Sequence, residues 1–139
     1  GYFFTLWKYL FIIMSGDKFQ GDRNIKQLSA KDFDKIESFK LVNKDCCLVV
    51  FYSPTCPHCI NMQDEFIKFA KKCKFMDVCA FDTKKNIKHY EKIRYDMPSL
   101  IQGVPTFIFY KNGEPIEQYK DDRTEATFLS ESMRMCKSN

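Results

Sequence analysis

The chain has 139 residues, 45% of them hydrophobic and 29% charged, with a formal net charge of +4 at neutral pH. That length suffices for one domain with a real core and is short for two, and five Gly, five Pro, fourteen Phe and seven Tyr exclude disordered and fibrous classes. Two lysine groups (Lys71, Lys72 and Lys74; Lys84, Lys85 and Lys88) carry no nucleic-acid-binding signature, so they read as solvated helix ends and turns, and no nucleic acid is expected as a partner.

The amino end, residues 1–14, is almost wholly apolar: Tyr2 to Met14 is broken only by Thr5 and Lys8. As a helix of that length it reaches roughly 20 Å, short of the ~30 Å hydrocarbon core of a bilayer. No basic region precedes it and no small-residue cleavage site follows, as a secretory signal requires. Three readings stand: a remnant of a membrane anchor, through which the protein would touch a membrane; an added element packing on the domain; or sequence foreign to the native protein. Residues 15–24 are polar with two Gly and read as a linker to a domain spanning 25–137.

Within that domain, Ile25 to Leu28 is a candidate short strand. Ser29 is a candidate helix cap, with Phe33, Ile36 and Phe39 forming a helical stripe behind it. Cys47 to Ser53 is a continuous apolar, β-branched run, the mark of a central strand buried on both faces. Pro57 to Lys72 places Ile60, Met62, Phe66, Ile67 and Phe69 near helical spacing, with Pro57 suited to a first turn. Phe75 to Asp82 is a second buried strand, and Asn86 to Tyr95 a helix with His89 on its solvated side. Thr106 to Tyr110 is a third strand. Asn112-Gly113 is a hairpin signal, Pro115 to Tyr119 its return strand, and Thr124 to Met135 a last helix with Phe128, Leu129 and Met133 inward. The class is α/β: a central mixed sheet, parallel in its first part, with a C-terminal antiparallel hairpin and helices on both faces.

Seven cysteines is an odd count, unlike a disulfide-stapled secreted domain. Cys46, Cys47, Cys73, Cys79 and Cys136 lie in apolar or helical contexts and read as small buried hydrophobes; an accessory disulfide or a regulatory thiol is the alternative. Cys56 and Cys59 stand apart. They flank Pro57 and His58 where the central strand ends and a helix begins, the position at which ligand and catalytic groups collect in open α/β sheets. Such a pair could hold zinc, staple the chain or exchange disulfides. Zinc wants four ligands, and the chain has neither a second Cys-x-x-Cys nor a second histidine beside the pair, so no metal is expected. Redox chemistry fits best: Cys56 at a helix N-terminus gains from unpaired N–H groups and the macrodipole, while Cys59, one turn in, is shielded.

The stretches "VVFYSPTCPHC" and "QGVPTFIFYKNGE" resemble the thioredoxin superfamily over about Ile25 to Cys136, and more narrowly its Cys-Pro-His-Cys thiol–disulfide oxidoreductases. The resemblance implies Cys56 as nucleophile, Cys59 as resolver, Pro105 as a cis-proline facing them, and Val104, followed by Pro105 and Thr106, as the residue whose backbone pairs with substrate. It also implies protein thiols or disulfides as substrates, a further partner that recycles the redox state, and no cofactor. The Pro57-His58 dipeptide is similar to the oxidising DsbA type. There the His58 imidazole would donate to the Cys56 thiolate and favour the reduced enzyme.

Three departures from the pattern stand out. Thioredoxins and protein disulfide isomerases commonly carry a buried acid six residues before the first cysteine, where this chain has Val50; a family lysine aligns with Val78. Without that acid the proton of Cys59 needs another acceptor, and the thiolate at Cys56 costs less. In addition 46 positions separate Cys59 from Pro105, and Arg94 to Gly103 looks like an insertion that either shapes substrate choice or is an idle surface loop. The expected activity is protein disulfide oxidoreduction, more oxidising than thioredoxin. The rival is a thioredoxin-like binding or chaperone module without turnover. Cytoplasm and secretory-pathway lumen both fit the sequence.

Overall fold

The computed structural model describes Leu6 and residues 17–137, so the readings of Tyr2 to Met14 lie outside the described residues except at Leu6. Strands β1 (Lys26–Gln27), β2 (Cys46–Tyr52), β3 (Asp77–Asp82), β4 (Thr106–Lys111) and β5 (Glu114–Tyr119) form one sheet in the order β1-β3-β2-β4-β5. The first three are parallel; β4 runs antiparallel to β2, and β5 to β4. Helices α1 (Pro57–Lys72) and α3 (Glu125–Ser132) cover one face and α2 (Ile87–Asp96) the other. The expected mixed sheet, C-terminal hairpin and two-sided helical cover are all present.

The period-2 alternation of the buried strands divides the core. Leu48, Val50 and Tyr52 face α1 and α3, joined by Phe107 and Phe109 from β4; Cys47, Val49 and Phe51 face α2, with Ile108 and Tyr110. On the first face Phe128 closes a ring cluster, its centroid 5.2 Å from Phe66, 5.2 Å from Phe107 and 4.8 Å from Tyr119. Aromatic burial of this kind is the largest apolar contribution a side chain makes. Asn112 (φ 51°) and Gly113 (φ 86°) make the tight β4–β5 turn, and a Cβ on Gly113 would collide with the Leu41 carbonyl, so glycine is required there.

Four sequence expectations need correction. The helix after Ser29 is only a 3-10 turn, Ala30–Asp32. Asp34 Oδ2 captures the N–H groups of Ile36 and Glu37, and the Asp34 N–H donates to the Lys40 carbonyl, folding the segment into a loop with Ile36 88% exposed. His89 is not solvated: that loop lies over it, its Nε2 donates to the Ser38 carbonyl at 3.0 Å, and its ring packs on Phe33. The last helix ends at Ser132 and continues as a π-helical turn, Met133–Lys137; the wider turn carries Met135 inward and leaves Met133 exposed. Cys46 and Cys136 take the alternative to the buried-hydrophobe reading and form an accessory disulfide across 90 positions of sequence, while Cys47, Cys73 and Cys79 are buried free thiols. Within the segment read as a linker, Phe19 packs on Tyr52 and Phe66, and the buried Asp17 accepts from the Tyr52 hydroxyl at 2.9 Å.

Candidate functional site

Strand β2 leaves the sheet at Tyr52, whose carbonyl is held by the N–H and hydroxyl of Thr83. A tight turn follows, closed by the Cys56 N–H donating to the Ser53 carbonyl at 3.2 Å. Cys56 is the N-cap of α1 in extended conformation (φ −83°, ψ 124°), and Pro57 takes the first helical position, where its fixed φ suits the helix and its missing N–H costs nothing. The helix therefore begins under the Cys56 sulfur.

The two cysteines have opposite surroundings. Cys56 is half-buried at the surface end and Cys59 fully buried among Tyr52, Met62 and Phe66. The Cys59 main-chain N–H, first of all, holds the Cys56 thiol below its ordinary range. The Cys59 thiol, the His58 N–H and the positive Arg123 add to this, against a smaller opposing effect of burial. Burial pushes Cys59 up to about 12, reinforced by the neighbouring Cys56 and only partly offset by the Ser53 N–H, which lies 3.4 Å from its sulfur. A sulfur that ionises early thus sits over one that holds its proton.

Facing them is the segment before β4. The Val104–Pro105 peptide is cis. The Cys56 thiol donates to the Val104 carbonyl over 3.8 Å, and Thr106, buried, ties back to the Gly103 carbonyl through its hydroxyl. An open groove of about 500 Å³ runs beside Cys56, with Val104 and Pro105 on one wall and His58, Gln102, Gln118 and Arg123 around it. All seven residues singled out in the sequence (Cys56, Pro57, His58, Cys59, Val104, Pro105 and Thr106) therefore meet in one place. His58 differs in detail from the expectation: what it directs at Cys56 is its main-chain N–H, while its side chain is exposed at the groove.

The structure adds residues that the sequence reading missed. Arg123, between β5 and α3, sits with its guanidinium 5.6 Å from the Phe107 ring and acts on both cysteines. Lys84 reaches the Thr55 hydroxyl at 3.1 Å, beside Cys56. Neither has a sequence motif; only the return of β5 and the turn after β3 bring them here. Gln102 and Gly103, at the end of the segment read as an insertion, line the groove. Val50 and Val78 are both buried in the apolar core, and no charge replaces the missing acid on β2.

Comparison with known proteins agrees with this fold. The thioredoxin family model matches residues 24–134. Protein disulfide-isomerase A5 of Mus musculus is 32% identical over 98 residues, covering 65% of this chain and 17% of that protein. Protein disulfide-isomerase A6 of Mus musculus is 28% identical over 134 residues, covering 90% of this chain and 28% of its own length. The chain thus spans less than a third of these relatives. Among solved structures, the J-Trx1 fragment of ERdj5 superposes with a TM-score of 0.67 at 21% identity, over 84% of this chain and 54% of that one.

Proposed function

The chain belongs to the thioredoxin family, and from that premise we propose that it is a protein thiol–disulfide oxidoreductase working through Cys56 and Cys59. A client segment lies extended along Val104 and Pro105, pairing with the Val104 backbone. The Cys56 thiolate attacks one sulfur of a client disulfide; the other sulfur leaves as a thiolate and takes up a proton. Cys59 then loses its proton, attacks the Cys56 sulfur and releases the second client thiol. The client is reduced by two electrons and the Cys56–Cys59 pair is oxidised. Run in reverse, the same steps oxidise a client dithiol, and a separate thiol or disulfide partner resets the pair.

The observation that carries this reading is the asymmetry of the two thiols, one acidic and accessible, the other buried and held up to about 12. Stabilising the thiolate of the reduced form makes the disulfide form a better oxidant. With no buried acid at Val50 to raise the energy of that thiolate, the pair should be more oxidising than in thioredoxin. Equilibration with glutathione buffers, with the oxidised fraction counted by alkylation, tests the reading: a potential clearly above thioredoxin's ~ −270 mV is expected. A pair that never cycles between thiol and disulfide would sink it.

A further inference from the structure

The groove beside Cys56 has a charge character that the exchange chemistry does not require. Among the described residues no carboxylate lines it; its polar walls are the amides Gln102 and Gln118, the imidazole of His58 and the guanidinium of Arg123. Arg134, second in the π-helical turn, is neutralised by Glu117 and Glu131. Arg123 has no such partner among the described residues: it is exposed, rests over the Phe107 ring, and makes no ion pair. Of its acidic neighbours in sequence, Asp121 lies against Glu131 and Arg134. Next to Cys56 in sequence, the Thr55 hydroxyl accepts from Lys84, outside the groove lining. A cysteine entering along Val104 thus meets the positive charge of Arg123 and no acid in the groove lining.

We infer that the preferred clients carry acidic side chains within two positions of the reacting cysteine, and that Arg123 in the amide-walled groove recognises them. This rests on the exchange activity proposed above and names its substrate class. A carboxylate there finds an arginine fork, free amide donors and no repelling acid, whereas a lysine or arginine meets like charge. Such charges act on approach as well as on binding, so the preference belongs in kcat/KM and weakens with salt.

The test uses the full chain, reduced, with short peptides whose single cysteine is flanked by Asp, by Asn or by Lys, each held as a disulfide with neutral mercaptoethanol. The Cys56 thiolate attacks the peptide sulfur and mercaptoethanol leaves. Cys59 then loses its proton, displaces the peptide thiol and leaves the protein pair oxidised. Each rate, read by alkylation and mass spectrometry, is divided by that of the same peptide with dithiothreitol, which removes the intrinsic reactivity of the peptide disulfide. The expected result is an Asp-over-Lys ratio of about fivefold, roughly what one well-placed exposed ion pair supplies, falling toward one in 1 M NaCl. Arg123→Gln should bring the ratio near one; because it is taken within one protein, any change in thiol acidity divides out. Gln118→Glu, which leaves Arg123 in place and puts a carboxylate in the groove lining, should lower the ratio and raise the Lys-peptide rate. Equal normalised rates for all peptides, a preference that survives 1 M NaCl, or one indifferent to both variants would overturn the inference while leaving the exchange activity standing. Failure of every peptide, the Asn one included, would overturn both.

Discussion

At its first residue β2 carries Cys46, joined to Cys136 across 90 positions of chain; four residues beyond its last it leads to Cys56, three positions from Cys59, both as free thiols. The same strand therefore delivers two cysteine pairs about 20 Å apart along its length. Cys46 meets the π-helical turn at the carboxy end, and among the described residues no helix begins at its sulfur. Cys56 caps α1, faces a groove, and receives main-chain N–H groups and the charge of Arg123. What separates the clamp from the proposed reactive pair is thus the surroundings of the sulfur, above all which end of a helix it meets.

The sharpest way to break the comparison is to exchange serine for cysteine at each end. Cys56→Ser should abolish thiol–disulfide exchange outright. Cys59→Ser should accumulate mixed disulfides with clients on non-reducing gels, because the resolver is gone while the attacker remains. Cys46→Ser should leave the exchange rate within about twofold of the parent. Equal trapping by Cys56→Ser and Cys59→Ser would mean that the two roles are wrongly assigned.

The complementary effect is on stability. A cross-link closing some 90 residues restricts the unfolded chain, so Cys46→Ser or Cys136→Ser should cost about 2–5 kcal/mol in chemical denaturation, measured with Cys56 and Cys59 kept reduced. By contrast, Cys56→Ser at the exposed end should change stability by less than about 1 kcal/mol. A small loss at the clamp would place its role in folding or in holding the π-helical turn rather than in equilibrium stability.

How much of this was legible beforehand differs between the ends. The proposed redox end is local: a β-branched run, a proline suited to a first turn and two cysteines one turn apart specify strand, helix start and pair within thirteen residues. The Val104-Pro105-Thr106 segment became visible only through family resemblance. The clamp was not legible, because no local pattern says that Cys136 returns to Cys46; the π-helical turn that aims it also moved Met133 outward and Met135 inward. Arg123 and His89 were missed for a related reason. One is brought to the site by the hairpin return, and the other is covered by a loop that aspartates 32 and 34 fold in place of a helix. Periodicity sees neither event.

A pH series sharpens the comparison on a smaller scale. Iodoacetamide should modify Cys56 at neutral pH and slow as pH falls through its lowered pKa, while Cys59 resists until far more alkaline pH. The sign for stability follows from the same shift. In the reduced unfolded chain the Cys59 thiol ionises near 9, and in the fold at about 12. Below pH 9 both states hold the proton and the associated stability is fully present. Between 9 and 12 only the unfolded chain releases it, so the reduced protein should lose stability across that window. Cys59→Ser should make this part of the profile less steep without flattening it, since Cys47, Cys73, Tyr52, Tyr110 and Tyr119 are also pushed up in the fold, and the clamp cysteines, being bonded, should contribute nothing to it.

The smallest expected effect tests how much of the contrast is owed to the helix end and how much to side chains. His58 offers Cys56 a main-chain N–H, which survives any substitution except proline, while its side chain is exposed at the groove. Removing the imidazole therefore removes at most one solvent-screened charge, worth about 0.2–1 kcal/mol. A two-electron couple moves about 30 mV for 1.4 kcal/mol, so His58→Ala should make the Cys56/Cys59 potential more reducing by only about 5–20 mV. Arg123→Gln, which removes a charge acting on both sulfurs, offers an internal reference in the same buffers. If His58→Ala instead shifts the potential by more than about 40 mV, the imidazole must be bonded to the thiolate in the reduced protein, and the helix terminus alone does not set the chemistry of this end of β2.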